Sequence, residues 1–479
     1  MYKDSFRTIF LLTCLSMYTV TAYSNENIGD IDKYTLNKFI TESLNEYSGL
    51  TIATLNVNKL AYEIEKVSSR LGWVVTSQGG YSRDSSSFGI ETDTVDFGVG
   101  LEKPLESGNT FSISAQYRHS DSEQVLFTLS PNPSDTTNLD VSYRVPLLDG
   151  KGNPQYKFET DKANIESKIS KLDKEQIKES LILQLIDVYY LIATIDSRLE
   201  TAKKSLRRTR ALRKYINNNI NLGLLEKGDI LQIDSQIFAL ELEQKRILDI
   251  REKQVVAINR FLNKHFSNDF IIAESDMYGD YKLNNVETII SNIKSHDYEV
   301  KKLKSRSKLL DSSLALSRSR EKNKLDLVLS IGVQNRSGNS AGNSIDDTDT
   351  TGMMRFEYRN ALDKKLFSSQ RLQLQLDREA VIEQMSSIDK DLEYDAFNQF
   401  NQVKKSQEIV SLAVKKLKNE TLKHKDILKR FKNGRSTTNI VIQFDNERIR
   451  SELEYETERY ELAKRIDLLL LKQGLLLNK

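Results

Sequence analysis

The chain has 479 residues, with 70 Lys and Arg against 68 Asp and Glu, for a formal net charge of +2. That balance gives no bulk electrostatic drive toward nucleic acid, and no basic patch interleaved with aromatics is present. Apolar residues make up 38% and charged residues 29%, a polar balance for a compact globule and an ordinary one for long solvated helices. The single cysteine, Cys14, excludes a disulfide framework and a cysteine-based metal site or nucleophile, and fits an oxidising compartment.

At the N-terminus, Lys3 and Arg7 flank a mostly apolar run over 8–20, and Val20-Thr21-Ala22 resembles a small-residue cleavage site. The expectation is a cleaved secretory signal over 1–22. Acylation at Cys14 is the alternative, for which the preceding Leu11-Leu12-Thr13 is a poor match. The run is shorter than the roughly 20 residues needed to span a bilayer as a helix. No later segment reaches that length without charges, so any further crossing is by β-strands.

Strand-like alternation follows over 72–83, 94–103, 110–119 and 138–147, clearest in Phe111-Ser112-Ile113-Ser114-Ala115-Gln116-Tyr117. Ser, Asp, Gly and Asn fill the intervening turns at 84–91, 106–109 and 130–137. A second cluster, 325–335 and 351–360, flanks a Gly/Ser/Asp-rich loop expected over 336–350. Strands of this length and period suit a membrane barrel, although an ordinary soluble antiparallel sheet alternates in the same way.

All five prolines lie between 104 and 154, and none follows. Because proline breaks helix interiors, a β-rich window followed by a mostly helical remainder is expected. Two tracts, 155–222 and 363–433, are each about 70 residues, or about 100 Å at 1.5 Å per residue. Leu181, Leu185, Val188, Ile192, Ile195, Leu199, Ala202 and Leu206 recur with spacings of four and three. Ile230, Ile233, Ile237, Leu240, Ile247, Ile258 and Phe261 follow the same rhythm. This is coiled-coil spacing, with a narrow apolar seam and a solvated charged face.

The chain reads as written twice. Tyr143-Arg144-Val145-Pro146-Leu147-Leu148-Asp149 closes the first strand cluster, and Tyr358-Arg359-Asn360-Ala361-Leu362-Asp363 closes the second. Gly223 follows Tyr143 by 80 positions and Gly434 follows Tyr358 by 76. Each glycine interrupts a helical pattern and precedes another helix of about 40 residues. An open sheet cannot sit in lipid with its edges unpaired, so a membrane reading requires several copies to close one barrel.

This layout, with the turn motif Asn221-Leu222-Gly223-Leu224-Leu225-Glu226-Lys227-Gly228-Asp229, resembles the TolC-like outer-membrane efflux family over nearly the whole mature chain. The family places a Gly at the tip and an Asp six residues later, starting the returning helix. Gly223 and Asp229 match, and Asp is a favoured N-cap. The second tip, Gly434-Arg435-Ser436-Thr437-Thr438-Asn439, departs from it. Asn439 lies five residues on, can cap the helix, and brings no charge, while Ile440 stands where the acid is counted. The resemblance makes Gly223, Gly228, Asp229, Gly434, Arg435 and Asn439 the candidate periplasmic gate, with an Asp–Arg contact as one hypothesis.

What the resemblance implies is an α+β membrane protein, internally duplicated as helix–strands–helix–turn–helix. In it a long α-helical coiled-coil barrel is continuous with a transmembrane β-barrel closed by oligomerisation. The expected divisions are a signal at 1–22, an N-terminal equatorial and helical segment at 23–70, a first barrel cluster at 71–149 and a first hairpin at 150–265. An equatorial linker and helix at 266–323, a second strand pair at 324–362 and a second hairpin at 363–479 complete the chain. The collar is expected mainly from 34–69 and 263–299. The extra hairpin over 94–119 leaves the count per protomer at four or six strands, or 12 against 18 in a trimer. A passive exit duct in the outer membrane, with a long periplasmic extension, follows. Its implied partners are a periplasmic adaptor and an ABC or proton-driven inner-membrane pump, outer-membrane lipid, and two further copies in a homotrimer. Drug efflux and type I secretion stay equally open.

An enzyme is the weakest alternative. The four histidines (His119, His265, His296 and His424) are scattered, no metal or cofactor motif is present, and no nucleophile elbow or phosphate loop occurs. A periplasmic coiled-coil adaptor is the serious one, but it would carry one hairpin rather than two. A fibrous rod is disfavoured by the regular return turns.

Overall fold

In the computed structural model, residues 33–85, 91–123, 131–273, 281–340, 343–360, 362 and 364–476 are described. The expected signal segment and Cys14 lie outside the described residues. The first half runs β1 (Lys33–Tyr34), α1 (Leu36–Glu46), α2 (Ser48–Ser69), β2 (Val74–Ser85), β3 (Glu91–Pro104), β4 (Thr110–Ser122), β5 (Ser134–Pro146), α3 (Pro154–Asn221) and α4 (Lys227–Phe261). The second runs β6 (Ile271–Ile272), α5 (Val286–His296), α6 (Tyr298–Arg320), β7 (Lys324–Ser340), β8 (Asn343–Arg359), α7 (Lys365–Lys432) and α8 (Thr438–Lys472).

The duplication extends to the lengths of the elements. α3 and α7 have 68 residues each, and α4 and α8 have 35 each. The four-position difference between the two sequence spacings therefore lies before the helices, with 11 positions from Tyr143 to Pro154 and 7 from Tyr358 to Lys365. The halves join where β1 pairs in parallel with β6, Lys33 opposite Ile271 and Tyr34 opposite Ile272.

Local chemistry accounts for the helix starts and seams. α3 begins on Pro154, whose missing N–H costs nothing in a first turn, and the Asn153 side chain accepts from the Tyr156 N–H at 3.2 Å. Of the first seam, Leu181, Leu185, Ile192, Ile195, Leu199, Ala202 and Leu206 are buried, and Val188 is partly buried. In the second, Ile233, Ile237, Ile247 and Ile258 are buried.

The largest core lies where α1, α3, α4, α5, α7 and α8 meet, around Phe39, Ile40, Leu185, Tyr189, Ile258, Phe270, Ile289 and Ile466. Phe39 stacks on Tyr189 at 6.3 Å and meets Phe270 edge-on at 5.3 Å. The stretch of α3 inside this core is apolar enough to cross a membrane by composition, yet half of it is buried in the fold. Its Asp187 pairs with Lys464 of α8 at 2.8 Å. Of the segments expected in a collar, α1 and α5 enter this core. α2 instead buries only Ala53 and runs along α3 toward the sheet.

The strands form one antiparallel sheet in the order β2-β3-β4-β5-β7-β8. The extra hairpin β3–β4 is part of that sheet, which has six strands among the described residues. One expectation is corrected here. Most of 336–350 is strand, because β7 and β8 stay in register from Lys324–Arg359 to Ser340–Asn343. Its polar residues pair across the strands: Asn335 Nδ2 donates to Asp346 Oδ1 at 2.8 Å and to Thr348 Oγ1 at 3.0 Å. A Gly/Ser/Asp-rich composition reads as a loop only where the backbone lacks a ladder partner.

Candidate functional site

The sheet and the hairpin tips are the two candidate functional surfaces. Register and alternation divide the sheet into unlike faces. One carries Val75 and Tyr81 of β2, Val95, Phe97, Val99 and Leu101 of β3, Tyr117 of β4, and Leu139 and Val141 of β5. It continues through Leu329, Ile331 and Val333 of β7 to Met354, Phe356 and Tyr358 of β8. All of these are exposed. On β5 from Thr137 to Val145, and on β8 from Thr350 to Tyr358, no charge faces this side, about nine residues and enough for a tilted transmembrane strand.

Amphipathic and charged groups mark both limits of this band. On one side Arg83 pairs with Asp93 at 2.7 Å, and His119 Nδ1 lies 2.8 Å from Asp135. On the other, Trp73 meets Phe111 edge-on at 6.0 Å with Lys103 Nζ 5.4 Å over its ring. The opposite face is mostly polar. Ser112 and Ser142 hydroxyls sit 2.6 Å apart, and Arg144 Nη1 donates to Glu357 at 2.6 Å and to Asp326 at 3.1 Å.

At the other end of the rods each hairpin turns through five residues, 222–226 and 433–437. Gly223 and Gly434 have φ of 76° and 71°, the left-handed region that closes a helix. Both turns are Schellman motifs. Gly223 N–H donates to Ile220 O at 2.9 Å and Leu224 N–H to Asn219 O at 2.8 Å. Gly434 N–H donates to Phe431 O at 3.0 Å and Arg435 N–H to Arg430 O at 2.9 Å. A Cβ on either glycine would meet nothing within 4 Å, so backbone conformation rather than space selects glycine.

The structure corrects both expected caps. The N-cap of α4 is Glu226, and Asp229 is the third helical residue, its Oδ2 accepting from the Glu226 N–H at 3.1 Å. This is the returning arm of a capping box, a role an acid three residues into a helix performs as well as one at the cap. In α8 the N-cap is Thr437, and Asn439 lies inside the first turn, exposed. Gly228 and Arg435 are also exposed, and no Asp229–Arg435 ion pair forms within the chain among the described residues.

Behind the tips the two hairpins pack on each other. Ile216, Ile233, Phe431 and Val441 form a small buried cluster, and the Tyr215 and Phe431 rings lie 5.9 Å apart. Gln236 of α4 donates to Asn446 of α8 at 2.8 Å. Further in, Arg448 binds Asp445 at 2.9 Å and Glu452 at 2.8 Å, while His424 Nε2 lies 3.6 Å from Asp445. Burial holds the His424 ring below its ordinary pKa, against the pull of Asp445 and with the repulsion of Arg448 and Arg208. Burial and then Arg448 likewise lower Arg208. Sequence reasoning passed over this cluster. Its signal was present as charges at Asp445, Arg448 and Glu452, spaced three and four along an otherwise apolar seam.

Among solved structures the chain is similar to the outer-membrane channel OprN, with 14% identity, a TM-score of 0.65 and coverage of 92% of this chain and 89% of that one. It is similar to the MtrE outer-membrane channel of Neisseria gonorrhoeae, at 13% identity and a TM-score of 0.65, with 92% and 89% covered. The outer-membrane protein VceC of Vibrio cholerae matches at 11% identity and a TM-score of 0.62, with 92% and 96% covered. The chain has the TolC-like channel fold. No family model and no curated protein matches it in sequence.

Proposed function

We propose that the chain is an outer-membrane channel subunit that works as a homotrimer and forms the exit duct of an export system. The observation that carries this reading is the six-stranded sheet with one exposed apolar face and both edges, β2 and β8, unpaired among the described residues. Such a sheet is stable in lipid only when closed. β2 leaves the helical end and β8 returns to it, so the edges of adjacent copies meet antiparallel, and three copies give an 18-strand barrel. Exposed apolar residues at coiled-coil spacing, Leu231, Phe238 and Leu242 on α4 with Leu372 and Leu376 on α7, supply further surface for neighbouring copies.

Conduction is passive, along the mostly polar face of the barrel and the solvated helix faces. The tips form the periplasmic constriction, with Gly223, Gly228, Asp229, Gly434, Arg435 and Asn439 around it. A periplasmic adaptor and an inner-membrane pump engage the helical ends. Both drug efflux and type I secretion fit a duct with no specific pocket. The adaptor alternative calls for one hairpin and no lipid-facing sheet, whereas the fold has two hairpins and a sheet with one exposed apolar face.

The test is the size of the mature protein in detergent and its current in planar bilayers. A trimer with discrete conductance is expected; a soluble monomer without current overturns the reading. For the gate, Asp229→Asn keeps an acceptor for the Glu226 N–H and removes the charge. A raised conductance assigns Asp229 an electrostatic role, and an unchanged current leaves it a helix cap alone.

A further inference from the structure

Between the two hairpins, near the tips, lies a cavity of about 280 Å³. Its walls are apolar, formed by Leu212 and Tyr215 of α3, Ile233 of α4, Leu428 of α7, and Val441 and Ile442 of α8. Arg208, His424 and Asp445 line it as well, and Lys432 adds a further cation. The Arg208 Nε and Nη2 atoms are buried with no hydrogen-bond partner. The nearest acid, Asp445, is 4.0 Å from Arg208 Nε. Its Oδ1 already accepts from Arg448 Nε at 3.2 Å and Nη2 at 2.9 Å, and Glu452 accepts from Arg448 Nη1. Arg448 thus takes the hydrogen bonds of Asp445 Oδ1 and of one Glu452 oxygen, and Arg208 is left with a 4.0 Å ion pair to Asp445 and no hydrogen bond at Nε or Nη2.

A guanidinium presents donors in a planar fork that matches a carboxylate, and buried donors without an acceptor are costly. An anion at this position satisfies them. The volume is near the lower end of small-molecule sites, about 300–1,000 Å³, so the rest of the ligand is short, and the walls require it to be apolar. We propose that this cavity binds a small amphiphilic monocarboxylate, its carboxylate on Arg208 and its hydrocarbon body between the two hairpins. Burial, and then the charge of Arg448, lower the basicity of Arg208 although Asp445 and Glu452 oppose them, and an added anion acts in the same direction as those two carboxylates. This inference is independent of the channel reading, since it needs only the packing of one hairpin on the other.

The test is calorimetric titration of the purified full-length protein, held in amphipol, with sodium octanoate, using octanol and octylammonium as length-matched controls. Saturable binding of one octanoate per chain is expected, with neither control competing. Arg208→Met should weaken it by at least about tenfold, the scale of a lost charge-assisted hydrogen bond. Leu212→Trp, which fills the cavity and leaves Arg208 in place, should abolish it. No saturable heat, equal affinity for octanol, or unchanged binding in both variants overturns the proposal. If Arg208→Met fails to assemble by size-exclusion chromatography, the Leu212→Trp result decides.

Discussion

The equatorial core and the hairpin tips are built from the same helices and differ in what holds them. At the equator α1, α3, α4, α5, α7 and α8 converge, with Phe39, Ile40, Leu185, Ile186, Ile192, Ile258 and Ile466 fully buried. At the tips, four buried side chains and a shell of half-buried ones join two hairpins, and charged side chains occupy seam positions just behind them. Burial stabilises by roughly 25 cal/mol per Å² of apolar surface, so most of the cohesion lies at the equator. Regions with few buried apolar contacts open at lower free energy than the core. A rod anchored at its middle and thinly joined at one end can move that end without unfolding.

Phe39→Ala tests the strong side of this contrast and carries the largest expected effect. Removing a ring packed on Tyr189 and Phe270 should cost about 3–5 kcal/mol, read as an earlier midpoint in denaturant unfolding of the whole chain. Ile233→Ala tests the weak side. It should cost about 2 kcal/mol, and the loss should stay local, with faster amide exchange over 216–233 and 431–441 and unchanged protection around Phe39. An equal loss of protection at the equator would mean that the rod melts as one unit, against the contrast. Gly434→Ala places a Cβ at φ 71° and should cost about 1 kcal/mol, detected as fraying of the last turn of α7.

The smallest effect is expected from pH. The folded state favours the neutral His424 ring, because burial and the two arginines oppose its charge. Its contribution is therefore complete above the ordinary value of 6.5 and is lost as pH falls through that value toward the lower folded one. Amide exchange over 424–445, corrected for intrinsic rates, should quicken between pH 7.5 and 5. His424→Gln should remove the added dependence.

The helical half of the fold was legible because its signals are periodic and redundant. A slip in one heptad of the seam from Leu181 to Leu206 is outvoted by the others, and the absence of proline after Pro154 speaks with them. The segment 336–350 was misread because its Asp, Ser and Asn residues carry turn chemistry, while the ladder that makes them strand comes from a partner that local reading does not supply. The extra hairpin was visible, but its place inside the sheet depends on long-range pairing of β4 with β5. At the site, Gly223 and Gly434 were legible because a left-handed helix end leaves little choice of residue. Asp229 and Asn439 were placed in the right turns with the wrong local roles, since Glu226 and Thr437 also serve as caps. The inter-hairpin cavity was not legible, because it exists only where two hairpins distant in sequence meet.

The equal arms of the two hairpins have a consequence for how such a rod can change length. An inserted residue turns everything beyond it by about 100° and carries the seam off its partner. A heptad can be gained or lost in α3 only with a matching one in α4. The 68- and 35-residue lengths shared by the two halves then require the same change in α7 and α8 to keep the tips level. Descendants of this gene with longer or shorter rods are thus expected to differ by coordinated steps of seven in all four arms, and single-residue indels should gather in the strand turns.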